Sequence, residues 1–207
     1  MSTLIKRTVQ IYAESTPNPA SMKFVANILL VNEGASAQYL SKQETDKAPL
    51  AAKLFEFPFV KAVFVASNFV TITKTDSIQW EDVMHELRDF IRIYISEGNE
   101  IISELPKTEV PVDNTFSEKK EIFTEHKSPT TEIEVKIVEI LEQYIRPAVE
   151  GDGGSITFKN YDDGIVTVQM RGACSGCPSS TITLKAGIEA LLRKMIPEVT
   201  QVVAEAV

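Results

Sequence analysis

Residues 172–180 read Gly172-Ala173-Cys174-Ser175-Gly176-Cys177-Pro178-Ser179-Ser180 and hold both cysteines of the 207-residue chain. Two residues separate the cysteines, at the point where a strand-like pattern gives way to a helix-like one. Thiolates in this spacing can chelate a soft metal such as zinc, hold part of an iron–sulfur cluster, or cycle through a disulfide. The residues around the pair must therefore distinguish three chemistries.

Strands are predicted on both sides of the cysteine stretch. β-Branched residues recur in short runs bounded by turn residues, and the predicted strands are residues 155–159, 165–171 and 199–203. Alternate residues of a strand point to the same side, so we expect Val166, Val168 and Met170 to face the core.

A helix is predicted directly after the cysteines. Pro178 suits the first helical position and Pro197 ends the helix. The apolar stripe consists of Leu184, Ile188, Leu191, Leu192 and Met195. Cys177 then lies at or next to the N-cap, where unpaired N–H groups and the helix dipole favour thiolates. We therefore expect a lowered pKa for both thiols, no core role for either, and space beside Gly172 and Gly176 for a bulky inorganic group.

Another helix is predicted over residues 131–145. Its buried stripe consists of Ile133, Ile137, Ile140, Leu141 and Tyr144. Arg146-Pro147 is expected to stop this helix, because proline disfavours helical backbone in the residue before it. The glycine-rich residues 149–154 lack the spacing of a phosphate-binding loop, which favours a tight backbone connection instead.

The first half of the chain predicts a small α/β sandwich without cysteine. A stiff turn is expected at residues 15–19, which contain two prolines. The predicted strands are residues 8–12, 22–31, 60–66 and 69–74, the last two forming a hairpin around Ser67-Asn68. Helices are predicted at residues 48–55 and, for about four turns, from Trp80. No element is predicted for residues 33–47, and His85 is expected on the helix surface.

Prolines and charged residues without sustained apolar periodicity separate the two halves. We interpret residues 103–130 as a flexible charged linker, with His126 a solvated linker residue. The predicted domains are residues 1–102 and 131–207. The predicted fold class is α+β, with two small α/β sandwich domains, each a mixed sheet packed by helices.

Composition excludes several classes of protein. The net charge of −8 repels polyanions and argues against nucleic-acid binding. No apolar run approaches the roughly 20 residues of a membrane span, and no secretory signal pattern follows Met1. We expect a cytoplasmic protein with no membrane partner. In such a reducing compartment, closely spaced cysteines favour metal or redox chemistry over a structural disulfide.

The segment from about residue 135 to residue 203 resembles the C-terminal domain of NifU-type iron–sulfur cluster scaffold proteins. The resemblance rests on Arg146-Pro147, on Asp152-Gly153-Gly154 and on the cysteine stretch itself. It implies a non-enzymatic protein that receives or assembles a [4Fe-4S] cluster, with Cys174 and Cys177 as the metal ligands that hold it. It also implies apo iron–sulfur proteins as recipients, and an upstream scaffold or cysteine desulfurase system as a further partner.

The first hundred residues resemble the N-terminal domain that accompanies this module in Nfu-type proteins. The matching features are Thr16-Pro17-Asn18-Pro19, Lys23-Phe24 and the helix from Trp80. The long charged linker departs from the family pattern and leaves the cysteine motif intact.

A ligand count made from the residues alone agrees with the resemblance. A cubane cluster takes four protein ligands, whereas this chain has two cysteines and no histidine in residues 131–207. A homodimer bridging one cluster through Cys174 and Cys177 of each chain satisfies the count. A structural zinc site of four cysteines from two chains has the same count and stays open.

A thioredoxin-like thiol–disulfide oxidoreductase is the other alternative. It also places Cys-x-x-Cys at a helix N-terminus. Two features disfavour it: the predicted helix follows a hairpin strand rather than the first strand of a βαβ unit, and no aromatic residue precedes Cys174.

Overall fold

The computed structural model describes residues 8–32, 34–105, 126–175 and 178–206. The chain divides into two compact units, Met1–Pro106 and Lys107–Val207, each with its own sheet and hydrophobic core. The predicted fold class, α+β with two small domains of sheet packed by helices, is confirmed. Residues 106–125 of the predicted linker lie outside the described residues, and the predicted domain limits stay predictions. Within the described ranges, no helix is long and apolar enough to span a bilayer.

The first unit contains a five-stranded antiparallel sheet. Its strands are β1 (Ile11–Ser15), β2 (Ser21–Ala26), β3 (Ser36–Tyr39), β4 (Val60–Ala66) and β5 (Phe69–Lys74), in the spatial order β1-β2-β5-β4-β3. Its helices are α1 (Pro49–Leu54) and α2 (Trp80–Ser96), with a 3-10 turn at Lys42–Glu44. The apolar stripe Val83, Leu87 and Ile91 of α2 packs into the core formed by alternate strand residues.

The predicted hairpin and the predicted proline turn are both confirmed. β4 and β5 are joined by Ser67-Asn68, and Ser67 takes a φ of 41°, as tight hairpin turns require. The Asn68 amide donates to the Ala26 carbonyl at 3.0 Å and so joins this turn to β2. The turn between β1 and β2 is held by the Trp80 indole N–H, which donates to the Pro19 carbonyl at 3.0 Å.

Two predicted strands in the first unit need correction, and one strand was missed. The strand predicted over residues 22–31 ends at Ala26; its last pair with β5 is Val25–Phe69, and the Leu30 and Val31 N–H groups bond instead to the carbonyl of the turn residue Ser67. The strand predicted over residues 8–12 lies at Ile11–Ser15 instead. The sequence pattern missed β3, which has only four residues and pairs along the outer edge of β4. So short a strand shows too little alternation to be recognised.

The second unit contains a three-stranded sheet. Its strands are β6 (Gly154–Asp162), β7 (Ile165–Gly172) and β8 (Gln201–Ala206), in the spatial order β6-β7-β8. β6 and β7 form an antiparallel hairpin, and β7 and β8 are parallel. Helix α5 (Pro178–Met195) connects the two parallel strands. Val166, Val168 and Met170 are fully buried, as predicted.

The helix predicted to stop at Arg146-Pro147 continues to Gly151. It runs as α3 (Glu132–Ile140), a π-helical turn (Leu141–Ile145) and α4 (Arg146–Gly151). The Arg146 N–H bonds to the Leu141 carbonyl, five residues back rather than four. Pro147 then falls in the first turn of α4, where a missing N–H is tolerated.

The π-helical turn also changes which residues are buried. Tyr144, predicted in the buried stripe, is 49% exposed, and Ile145 is buried in its place. One extra residue per turn rotates the following side chains around the helix axis, which accounts for the exchange. Met195, also predicted as buried, is 46% exposed at the last position of α5, while the following Ile196 is buried.

His126 is buried, contrary to the prediction of a solvated linker residue. Its side chain is 2% exposed. The Phe158 N–H donates to His126 Nδ1 at 2.7 Å, and the Lys127 N–H donates to the Phe158 carbonyl at 3.0 Å. β6 is an edge strand, and this segment supplies partners for its outward-facing backbone groups.

Helix α3 and its continuation hold the other side of the His126 ring. His126 Nε2 pairs with Glu142 Oε1, and Arg146 Nε donates to the same carboxylate at 2.8 Å. Burial of the Glu142 carboxyl raises its pKa, but the hydrogen bond from His126 and the charge of Arg146 outweigh burial and hold this pKa below its usual range. The ionised Glu142 therefore stabilises the second unit.

We expect Glu142→Gln to lower the free energy of unfolding of the second unit by about 1–3 kcal/mol near neutral pH, because it weakens charged hydrogen bonds. A carboxyl whose pKa is lowered on folding stabilises fully above its unfolded-state pKa, and this contribution is lost as the pH falls through the folded-state pKa. The difference between parent and variant should therefore shrink between about pH 7 and about pH 3.

Urea unfolding monitored by NMR signals of β6 amides measures this difference. Trp80, the single tryptophan, reports separately on the first unit. Glu139→Gln, at an exposed position of α3, is the matched control and should change little. A Glu142→Gln effect of equal size at both pH values would contradict the assigned role of the carboxylate.

Candidate metal centre

The cysteine stretch lies at the connection between β7 and α5, as predicted. β7 ends at Gly172, which takes a φ of 71°, and α5 begins at Pro178. Gly176 and Cys177 lie outside the described residues. Of the two predicted site residues, the structure therefore describes Cys174.

Cys174 is a free thiol inside the second unit. Only 4% of the residue is exposed, and it packs within the same core cluster as Met170 and Ile188. The expectation that neither thiol belongs to the core is therefore wrong for Cys174. The strand-to-helix pattern showed where the turn lies, but it carried no information on which way the side chain points.

The predicted lowering of the pKa is also wrong for Cys174. Burial, together with the nearby carboxylate of Asp152, raises the pKa of this thiol to about 12. The predicted lowering assumed a sulfur at the N-terminus of the helix, whereas this sulfur lies in apolar surroundings next to an acidic side chain. Cys174 is therefore a protonated thiol in this conformation.

The start of β6 forms one wall of the Cys174 site. A Cβ atom added to Gly154 would lie 2.8 Å from Cys174 Sγ and 2.6 Å from the carbonyl oxygen of Arg171. Real Cβ contacts are not this short, so only glycine lets the β6 backbone approach the sulfur so closely. The prediction that residues 149–154 form a backbone connection was incomplete, because this segment also contacts a predicted site residue.

Hydrogen bonds hold the backbone on both sides of Cys174. The Ala173 N–H donates to the Gly153 carbonyl at 3.1 Å. The hydroxyl of Thr181, in the first turns of α5, donates to the Cys174 carbonyl at 2.9 Å. The Ser175 N–H and hydroxyl both donate to the Gly172 carbonyl, at 3.2 and 3.0 Å. The turn is thereby tied to β6, β7 and α5.

Asp152, Gly154 and Thr181 were not predicted as site residues. Asp152 and Gly154 lie about twenty positions before Cys174 in the sequence. They reach it because the β6–β7 register pairs Gly154 with Gly172. The tight Asp163-Gly164 turn alone would pair Gly154 with Ala173, and an irregularity between Phe158 and Asn160 shifts its partner to Gly172, so the predicted hairpin indicated this proximity only approximately.

Within the described residues, no three histidine, cysteine, aspartate or glutamate side chains are grouped so that they could hold a metal ion. Of the two histidines, His126 is bonded through both ring nitrogens and His85 is exposed on α2 of the other unit. Cys174 and Cys177 thus remain the candidate ligands.

Comparison with protein families identifies both halves of the chain. The model described as "Scaffold protein Nfu/NifU N terminal" matches residues 11–98, and the model described as "NifU-like domain" matches residues 137–203. The second match spans both cysteines.

Curated proteins with similar sequences carry related names. A protein of Drosophila willistoni named "NFU1 iron-sulfur cluster scaffold homolog, mitochondrial" is 35% identical over 95% of this chain, which spans 64% of that protein. "NifU-like protein 4, mitochondrial" of Arabidopsis thaliana is 36% identical, covering 97% of this chain and 67% of its own length. A NifU-like protein of Schizosaccharomyces pombe is 33% identical, with 95% and 73% covered.

Solved structures include a NifU-like protein of Saccharomyces cerevisiae. It is 22% identical and covers 50% of this chain and 91% of its own, with a TM-score of 0.41. The two domain matches in their order, together with relatives more than 30% identical over nearly the whole chain, show that this chain belongs to the Nfu/NifU family.

Proposed function

We propose that this chain is an iron–sulfur cluster scaffold and carrier, which binds a [4Fe-4S] cluster as cargo and passes it to apo-proteins. The observation that carries the proposal is the NifU-like match over residues 137–203, a range that includes both cysteines and the sequence between β7 and α5. Relatives named as iron-sulfur cluster scaffolds support it. The role is binding and transfer rather than catalysis.

The supply of ligands favours a cluster shared between two chains. A cubane cluster takes four protein ligands, and the whole chain contains two cysteines. Two chains that each contribute Cys174 and Cys177 complete the set. The proposed loaded form is therefore a homodimer with the cluster at the seam between its chains.

A cluster at such a seam suits delivery. Each cysteine thiol loses its proton to solvent as its sulfur bonds to iron, and each Fe–S bond can later be exchanged for one to a recipient thiolate. Ligand exchange of this kind needs access to the cluster, which a buried permanent redox centre lacks. It also needs reduced thiols, consistent with the predicted cytoplasmic location.

Thiol–disulfide exchange is disfavoured, but for a different reason from the topological one that the sequence suggested. The predicted topology was wrong here, because β7, α5 and β8 do form a parallel βαβ unit. The fold of this segment therefore does not argue against a redox role. Instead, an attacking cysteine needs an accessible thiolate, and in this conformation Cys174 is buried with a pKa raised to about 12.

Anaerobic reconstitution with iron and sulfide tests the proposal. We expect a broad absorbance toward the blue end of the visible spectrum, about four irons and four sulfides per two chains, and a shift from monomer to dimer on loading. Elemental analysis and light scattering measure these outcomes. Zinc bound at one ion per dimer without sulfide would support the structural zinc site instead, and a colourless monomer that reduces disulfides catalytically would support the redox role.

Single substitutions of the cysteines separate ligand loss from misfolding. Cys174→Ala and Cys177→Ala should each abolish cluster uptake in the reconstitution assay. Because Cys174 belongs to the core, its alanine variant should also lose about 1–2 kcal/mol of unfolding free energy. Circular dichroism and urea unfolding should show both variants folded. Full uptake by either variant would contradict its assignment as a ligand.

A further inference from the structure

The buried position of Cys174 conflicts with the position that a ligand at a chain–chain seam must take. A sulfur that bonds to a cluster shared by two chains has to reach the surface of the second unit. In this structure the residue is 4% exposed and packs with core residues. The inference that follows rests on the proposed function, because only a shared cluster requires the sulfur to come out.

Two contacts define what we name the closed position of Cys174. The first is the approach of the sulfur to Gly154, where an added Cβ would lie 2.8 Å from Sγ. The second is the 2.9 Å hydrogen bond from the Thr181 hydroxyl to the Cys174 carbonyl. Gly154 leaves space for the sulfur beside β6, and the Thr181 hydroxyl bonds the turn to α5.

The Thr181 bond is the part of the closed position that can open without disturbing the sheet. It joins a side chain to a turn carbonyl, whereas the Gly154 contact is part of the β6–β7 hairpin. Gly172, which precedes the turn, has a φ of 71°, and a glycine there changes backbone conformation with little steric cost. Outward movement of residues 173–175 would break this bond and also the bond from the Ala173 N–H to the Gly153 carbonyl, which lies just before β6.

We propose that Cys174 alternates between this closed position and an open one in which it serves as a ligand, and that Thr181 is a positioning residue that sets the balance. Opening breaks the Thr181–Cys174 hydrogen bond. The exposed thiol then gives its proton to solvent as its sulfur bonds to iron, with no change in oxidation state of the sulfur. In a chain without a cluster, the closed position keeps the thiol away from oxidants and from other metal ions.

Alkylation of Cys174 measures opening without any cluster. All chains carry Cys177→Ala, so that iodoacetamide can react with Cys174 alone, and mass spectrometry follows the reaction at one fixed pH. The closed position predicts a native rate far below that of the chain in concentrated urea. It also predicts that low urea leaves the native rate unchanged, since local opening exposes little extra surface.

Substitutions at position 181 test the positioning role. Thr181→Val keeps the shape of the side chain and removes the donor. Because this variant loses the hydrogen bond to the Cys174 carbonyl, we expect alkylation to be about two- to tenfold faster. Thr181→Ser keeps the donor and should retain the slow parent rate. Thr167→Val, on β7, is a control for the loss of a threonine hydroxyl elsewhere. Valine and serine variants with equal rates would overturn the role of Thr181.

A second variant tests the Gly154 side. Gly154→Ala should raise the alkylation rate, because its methyl group occupies the space of the sulfur. Gly187→Ala, where an added Cβ meets no atom within 4 Å, is the matched control and should leave the rate unchanged. If Gly154→Ala proves unstable by circular dichroism, the position-181 pair decides alone.

The outcomes separate this inference from the proposed function. A native alkylation rate equal to the rate in concentrated urea would overturn the closed position even if the chain loads a cluster. A slow native rate that rises in Thr181→Val but not in Thr181→Ser would support the closed position even if reconstitution fails. In that case the proposed function, and not the conformational equilibrium, would be overturned.

Discussion

The contact of the β6 backbone at Gly154 with the sulfur of Cys174 is the constraint on which the second unit's site depends. It exists because the β6–β7 hairpin pairs Gly154 with Gly172, one residue before the turn that carries Cys174. A side chain at position 154 would push either the sulfur or the Arg171 carbonyl away. Residues twenty positions apart in sequence thereby act as one structural feature, and the glycine-rich segment belongs to the site.

The same hairpin organises the beginning of the second unit. The outer edge of β6 accepts the His126–Lys127 segment through the backbone of Phe158, and His126 in turn holds Glu142 against Arg146. These contacts make residues that composition assigned to a solvated linker part of a folded domain. The polar cluster costs little because its buried groups are hydrogen-bonded to one another.

The position of Cys174 changes the basis on which metal binding and redox chemistry are distinguished. The topology does not distinguish metal binding from redox chemistry, because α5 connects two parallel strands, as the corresponding helix does in thioredoxin-like folds. The state of the thiol is more informative. In the closed position the buried, protonated thiol beside Asp152 is a poor nucleophile, and it becomes available to iron only in the open position. Burial and protonation protect a thiol that is to become a ligand later, whereas a reactive nucleophile must be exposed and ionised.

The sequence alone determined the two-domain α+β organisation, the Ser67-Asn68 hairpin, the buried face of β7, and the strand-to-helix turn that contains the cysteines. These features follow from local periodicity and turn chemistry, which sequence records directly. Only the tertiary structure decided that Cys174 points inward, that Gly154 touches it and that His126 is buried. Each of these depends on the exact pairing of segments distant in sequence or on the direction of one side chain, and local sequence patterns determine neither.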